Sequence, residues 1–158
     1  MSLTLVDQIK VKRQAFSLIQ TLGMSSSASQ ALSTLLQELA QKKGNVTLSV
    51  VVFDLQTSAA TDAVIADAAC TIYGIFAKKS STATGAWLKG SDNTTTSSST
   101  AAEFMQEFNA ASAELAATYG VSGFVQGSGW TFGADTTASG STNSTAGDGP
   151  KGFVILGA

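Results

Sequence analysis

Apolar positions recur along the chain with two different periods, and the change of period divides it. Leu32, Leu35, Leu36 and Leu39 follow the i, i+3, i+4, i+7 rule of an amphipathic helix. Ser29 stands where a cap belongs, Lys42 and Lys43 suit the C-terminal end of the macrodipole, and Gly44 stops the run. Ahead of it, Leu5, Ile9, Phe16 and Ile19 fall near one helical face over residues 3–22. Lys12 interrupts that face, and Gly23 is placed to end the helix. Short amphipathic helices cannot bury their stripes alone. They need each other, a sheet or another subunit. Leu32, Leu35, Leu36 and Leu39 are therefore the candidate interface residues.

From Asn45 the period becomes two. Val46–Leu55 begins with strict alternation and turns continuously apolar, which predicts a long strand buried on both sides toward its end. Asp62–Asp67 reads as a short strand or a helical turn. Thr71–Ala77 is rich in β-branched and aromatic residues, Lys78–Gly85 is polar and small, and Ala86-Trp87-Leu88 is apolar again. That pattern predicts a hairpin at the centre of a sheet, with Ile72, Phe76 and Trp87 feeding its core. Thr100 and Glu103 have capping-box spacing, and Phe104, Phe108, Ala111, Leu115 and Tyr119 repeat at helical spacing up to Gly120. A helix over 101–119 is expected. Val121–Gln126, Trp130–Phe132 and Gly152–Leu156 read as strands, the last too apolar to stay unpaired. The polar segments 90–100 and 133–149 join sheet elements and would together form a Ser/Thr-rich rim. The pattern as a whole predicts an α+β fold. Residues 1–44 form an N-terminal helical region, and 45–158 form an antiparallel β-sandwich domain carrying the helix 101–119.

Charged residues are 13% of the chain, about half the usual share of roughly 25%. The mean hydropathy is nevertheless positive at +0.19. Either Ser, Thr, Asn and Gly cover the surface, or other protein does. A net charge of −2, and one small basic cluster at Lys10, Lys12 and Arg13, exclude a nucleic-acid footprint. No apolar run is long enough for a membrane helix, and no basic leader precedes an apolar core, so synthesis and folding in a cytoplasm are expected. The sequons at Asn45, Asn93 and Asn143 then read as accidents of a Ser/Thr-rich chain.

The chemistry searched for is largely missing. The chain has no histidine, which removes a Ser-His-Asp triad, a Cys-His dyad and the commonest metal ligand. The single cysteine, Cys70, reads as a buried structural thiol. Gly127–Gly133 is glycine-rich but lacks the helix that a dinucleotide loop requires. Glu103 and Glu107 read as a wet face opposite Phe104 and Phe108 rather than a glycosidase pair. Asp135 and Asp148, in glycine-rich surroundings, offer oxygen ligands to a hard cation without EF-hand spacing. No catalytic, cofactor-binding or metal-binding residue is assigned.

Three stretches carry a resemblance: TIYGIFAKKSSTATGAWLKGSD, GSGWTFGADTTASGSTNSTAG and PKGFVILGA. Over residues 69–158 this order of aromatic strand, Lys/Ser/Thr turn, second strand, Gly-aromatic-Thr strand, polar loop and apolar terminal strand resembles the decoration or cement proteins of tailed-bacteriophage heads. The resemblance implies a small β-sandwich, jelly-roll-like, often trimeric and seated on capsid capsomers. It implies no catalytic residue and no cofactor. The expected role is a virion structural protein, made in the host cytoplasm, whose partners are the major capsid protein and itself. The competing expectation is a carbohydrate- or cell-surface-binding sandwich, in which Trp87, Trp130 and Tyr73 stack on sugar rings. Exposure of Trp130 separates the two.

Overall fold

The computed structural model describes residues 5–42, 47–56, 62–79, 86–95, 101–135 and 149–157. Two helices open the chain, α1 (Leu5–Thr21) and α2 (Ser26–Lys42). Gly23 adopts φ 65°, which an L side chain resists, and this lets the Met24 N–H reach the Ile19 carbonyl at 3.0 Å and close α1. Helix α2 begins earlier than Ser29 suggests, and Ser25 is its flanking residue. Val11, Ala15 and Ile19 of α1 and Ala28, Leu32, Leu35 and Leu39 of α2 are buried, as helical spacing dictates.

Nine strands follow among the described residues: β1 (Leu48–Asp54), β2 (Asp62–Ala66), β3 (Cys70–Lys78), β4 (Ala86–Ser91), β5 (Phe104–Phe108), β6 (Glu114–Thr118), β7 (Phe124–Gln126), β8 (Trp130–Asp135) and β9 (Lys151–Gly157). The first sheet has the order β1-β9-β3-β6, with β7 also pairing β3; the second has the order β2-β8-β4-β5. Every pairing is antiparallel. With β7 set aside as an accessory, the order is that of a jelly roll. Consecutive strands cross between sheets except β4 and β5, which pair with each other, and the last two insert beside the first two.

The chain is thus an α+β fold in which an antiparallel β-sandwich carries an N-terminal helical pair. Alternation decides what faces where. Phe53, Ile72, Ile75, Val154 and Leu156 from the first sheet meet Leu88, Phe108, Trp130, Phe132 and Ala134 from the second in the interior. The opposite face of the first sheet offers Tyr73, Phe76, Phe153 and Ile155 to Ala15, Ile19, Leu32, Leu35 and Leu39 of the helices. The helical region therefore shares its core with the sandwich and forms a third layer.

Three expectations are corrected. Residues 101–119 hold no helix: β5 and β6 occupy them, in different sheets. Phe104 and Phe108 point inward from β5, and Leu115, Ala117 and Tyr119 from the other arm. The break is a turn at Asn109–Ser112, where Ser112 takes φ 60°. Pairing with β4 and β3 satisfies backbone groups and buries both aromatics, which outweighs the helix propensity of the alanines. Next, β3 and β4 do not pair with each other. Each is an inner strand of its own sheet, so the expected hairpin is an arch between sheets. Ile72 and Phe76 are core, whereas Trp87 is only half-buried. Finally, β1 is not buried on both faces: it pairs only β9 among the described residues, and Val52 is 55% exposed.

Candidate functional site

The leucine stripe was the candidate interface, and the structure places it within the chain. Leu32, Leu35 and Leu39 are buried against the first sheet. Gly74 makes this close approach possible, since a Cβ there would lie 2.9 Å from Leu35 Cδ2 and 2.9 Å from the Phe76 ring. The partner that the stripe needs is thus the chain's own first sheet, together with α1. These three residues are not an exposed subunit interface. Leu36 differs. It lies beside a cavity of about 150 Å³ between the helices, lined by Val11, Phe16, Leu36, Ala40 and Leu48, with Lys12 and Gln37 among the polar lining.

Leu48 is also the first residue of β1, so this cavity opens beside an edge strand. β1 reads Leu-Ser-Val-Val-Val-Phe-Asp, with no lysine or proline along it. Those are the usual devices that keep an edge from pairing with another chain. On the second sheet the neighbouring edge, β2, is interrupted by a register shift between Val64 and Ala66 and leaves Val64 52% exposed. Among the described residues the β1 side therefore combines an apolar cavity, an edge without lysine or proline, and the exposed Val52.

The charged side chains serve the fold. Glu114 at the start of β6 accepts the Ser25 N–H at 2.9 Å, placing a carboxylate at the N-terminus of α2. Lys78 lies 3.5 Å from the same carboxylate and donates to the Gly23 carbonyl. Burial opposes the charged form of Glu114, but the Ser25 hydrogen bonds and then Lys78 outweigh it and hold its carboxyl below the usual range. These contacts fasten the α1–α2 connection to the sheet. At the other end of the sandwich Asp92 accepts N–H groups from Gly127, Ser128 and Gly129 at 2.9, 2.7 and 3.1 Å. The hydrogen bonds from Ser128 and then Gly127 hold its carboxyl below the ordinary value. Cys70 is buried, as expected, and burial followed by the Asp92 charge pushes its thiol up. Asp135 is a strand residue, not a loop ligand: it is 2.8 Å from Lys89 and buried. Asp148 falls outside the described residues. Glu103 and Glu107 are exposed, Glu107 on β5.

The rim expected of the two polar segments falls mostly outside the described residues. Ser91 pairs with Thr131 and Trp87 with Asp135, so residues after β4 and residues after β8 leave the second sheet from opposite ends. Residues 96–100 and 136–148 themselves fall outside the described residues. Trp130 is fully buried and Tyr73 nearly so, leaving Trp87 as the half-buried member of the aromatic set proposed for sugar stacking. No family description, curated protein or solved structure matches this chain. Sequence reasoning missed the Asp92 clasp and the Lys89–Asp135 pair. Their partners are far apart in sequence, and no spacing rule announces them.

Proposed function

We propose that this chain is a virion structural protein: a decoration or cement protein that binds and stabilises a tailed-phage head. Its partners on this reading are the major capsid protein and two further copies of itself, and its location is the capsid surface after synthesis in the host cytoplasm. The observation that carries the reading is the strand order β1-β9-β3-β6 against β2-β8-β4-β5. Jelly rolls build viral capsid domains, lectins and cupins, so this support is an analogy of fold. Within that set, the absence of histidine from the sequence weighs against a cupin metal centre. The burial of Trp130 and Tyr73 weighs against a sugar platform. The resemblance over residues 69–158 favours the capsid reading. The unprotected β1 edge supplies a surface on which an extended capsid segment adds as a further strand.

Two measurements test it. Peptide mass spectrometry of purified virus particles from the source culture should find the chain in stoichiometric amount. Recombinant protein should run as a trimer by light scattering and co-sediment with heads lacking it. A monodisperse monomer that is missing from particles and stays in the supernatant would defeat the proposal.

A further inference from the structure

Lys89 and Asp135 are charged residues set on adjacent inner strands, β4 and β8. Lys89 is in register with Gly133, and Trp87 with Asp135, so the pair is diagonal across the ladder. Gly133 carries no side chain to stand between them. Both alternate with interior residues, Leu88 and Ala134, and so project from the opposite face of the sheet. The Lys89 Nζ–Asp135 Oδ2 separation is 2.8 Å, and the side chains are 0% and 5% exposed.

We propose that this pair is a modification site at which the folded chain forms an intramolecular isopeptide bond between Lys89 Nζ and Asp135 Cγ. Burial carries the argument. Taking two ions out of water is costly, and an amide bond between the two side chains leaves no charge to be buried. A desolvated lysine amine is a nucleophile. Here Nζ is held 2.8 Å from one oxygen of the carboxyl group by two hydrogen-bonded strands, the arrangement that gives intramolecular reactions their high effective concentration. Nζ attacks Cγ, a C–N bond forms and a C–O bond breaks. The departing carboxyl oxygen leaves as one water with two protons of the pair, and the third stays on the amide nitrogen. Nothing is oxidised or reduced, and no cofactor is consumed. The product ties β4 to β8 covalently across a sequence separation of 46 residues, a constraint on the unfolded chain of the kind a disulfide imposes.

Intact-mass measurement of the full chain tests this. The folded protein should be lighter than its sequence mass by one water, and protease digestion should give a branched peptide joining Lys89 to Asp135. Protein purified in denaturant, before it has folded, should show the full mass and lose the water only after refolding. Lys89→Arg, checked for fold by circular dichroism, should keep its full mass. The proposal is overturned if the folded protein has its full mass and Lys89 accepts an amine label after denaturation. It is equally overturned if the water loss maps to Asp148–Gly149, where succinimide formation also expels one water.

Discussion

Phe76→Ala is the sharpest probe of the three-layer arrangement, because Phe76 sits where the helices meet the sheet. Its ring is fully buried and stacks on Phe153 of the neighbouring strand, with centroids 5.0 Å apart and planes inclined by 9°. Leu35 of α2 packs over the adjacent Gly74. Truncation removes the ring from a site closed by β9 on one side and α2 on the other, neither of which can collapse into the space without breaking its own pairing. Phe→Ala changes of this kind cost about 3–5 kcal/mol, and the aromatic pair places this one in the upper half of that range. Against a total stability of about 5–15 kcal/mol this is a large fraction. The assay is urea unfolding followed by circular dichroism for the helices and by tryptophan fluorescence for the second sheet, which carries Trp87 and Trp130. With a denaturant slope of about 2 kcal/mol per molar, the midpoint should fall by roughly 2–2.5 M. Both probes should move together, since one core joins the layers. A loss below about 1 kcal/mol, or a helical signal that melts separately at an unchanged sheet midpoint, would refute the shared core.

Three further outcomes follow from named contacts. Asp92 holds its folded pKa below the unfolded value of about 3.9, so its contribution is present above that value and disappears as pH falls through the lower folded one. Asp92→Asn should melt lower at neutral pH and lack that part of the acid-induced loss; identical acid limbs in both proteins would remove the clasp from the account. Cys70, buried and with its thiol pushed up, should resist a thiol reagent at mildly alkaline pH until the protein is unfolded. Rapid labelling of the native protein would contradict its placement. Val52→Lys puts a charge on the β1 side at a position already 55% exposed. It should change stability by no more than about 0.5 kcal/mol and abolish association with phage heads, and retained binding would move the contact elsewhere.

The parts of the fold legible in the sequence are those where one period fits and the other fails. The stripe Leu32, Leu35, Leu39 admits only a helix, and the run Gly152–Leu156 is too short and too β-branched to be anything but a central strand. Residues 101–119 failed because a spacing of four preserves parity. Phe104 and Phe108 lie on one face of a helix and also on one face of a strand, and so do Leu115 and Tyr119. The discriminating signal was the change of parity between Phe108 and Leu115, with Asn109 and Ser112 at the break. The arch between β3 and β4 was illegible for a different reason. A hairpin and an arch use the same two strands and a similar polar connection, and only long-range pairing with β9 and β8 separates them.

The sparse charge of the chain pointed to a covered surface, and its meaning changes once the charges are located. Lys78 and Glu114 fasten the helical layer, Asp92 holds the turn before β8, and Lys89 and Asp135 lie buried in the second sheet. Charges held in such contacts do less to solvate the outer surface than their number suggests, which sharpens the deficit rather than explaining it. The leucine stripe no longer supplies the missing partner surface, because the first sheet already covers it. Among the described residues, the β1 side is where an apolar cavity adjoins an edge with no lysine or proline to discourage pairing. An edge strand without such devices is a template for pairing with another chain. On the proposed function, the backbone donors and acceptors along β1 are where a capsid segment would add as an extended strand.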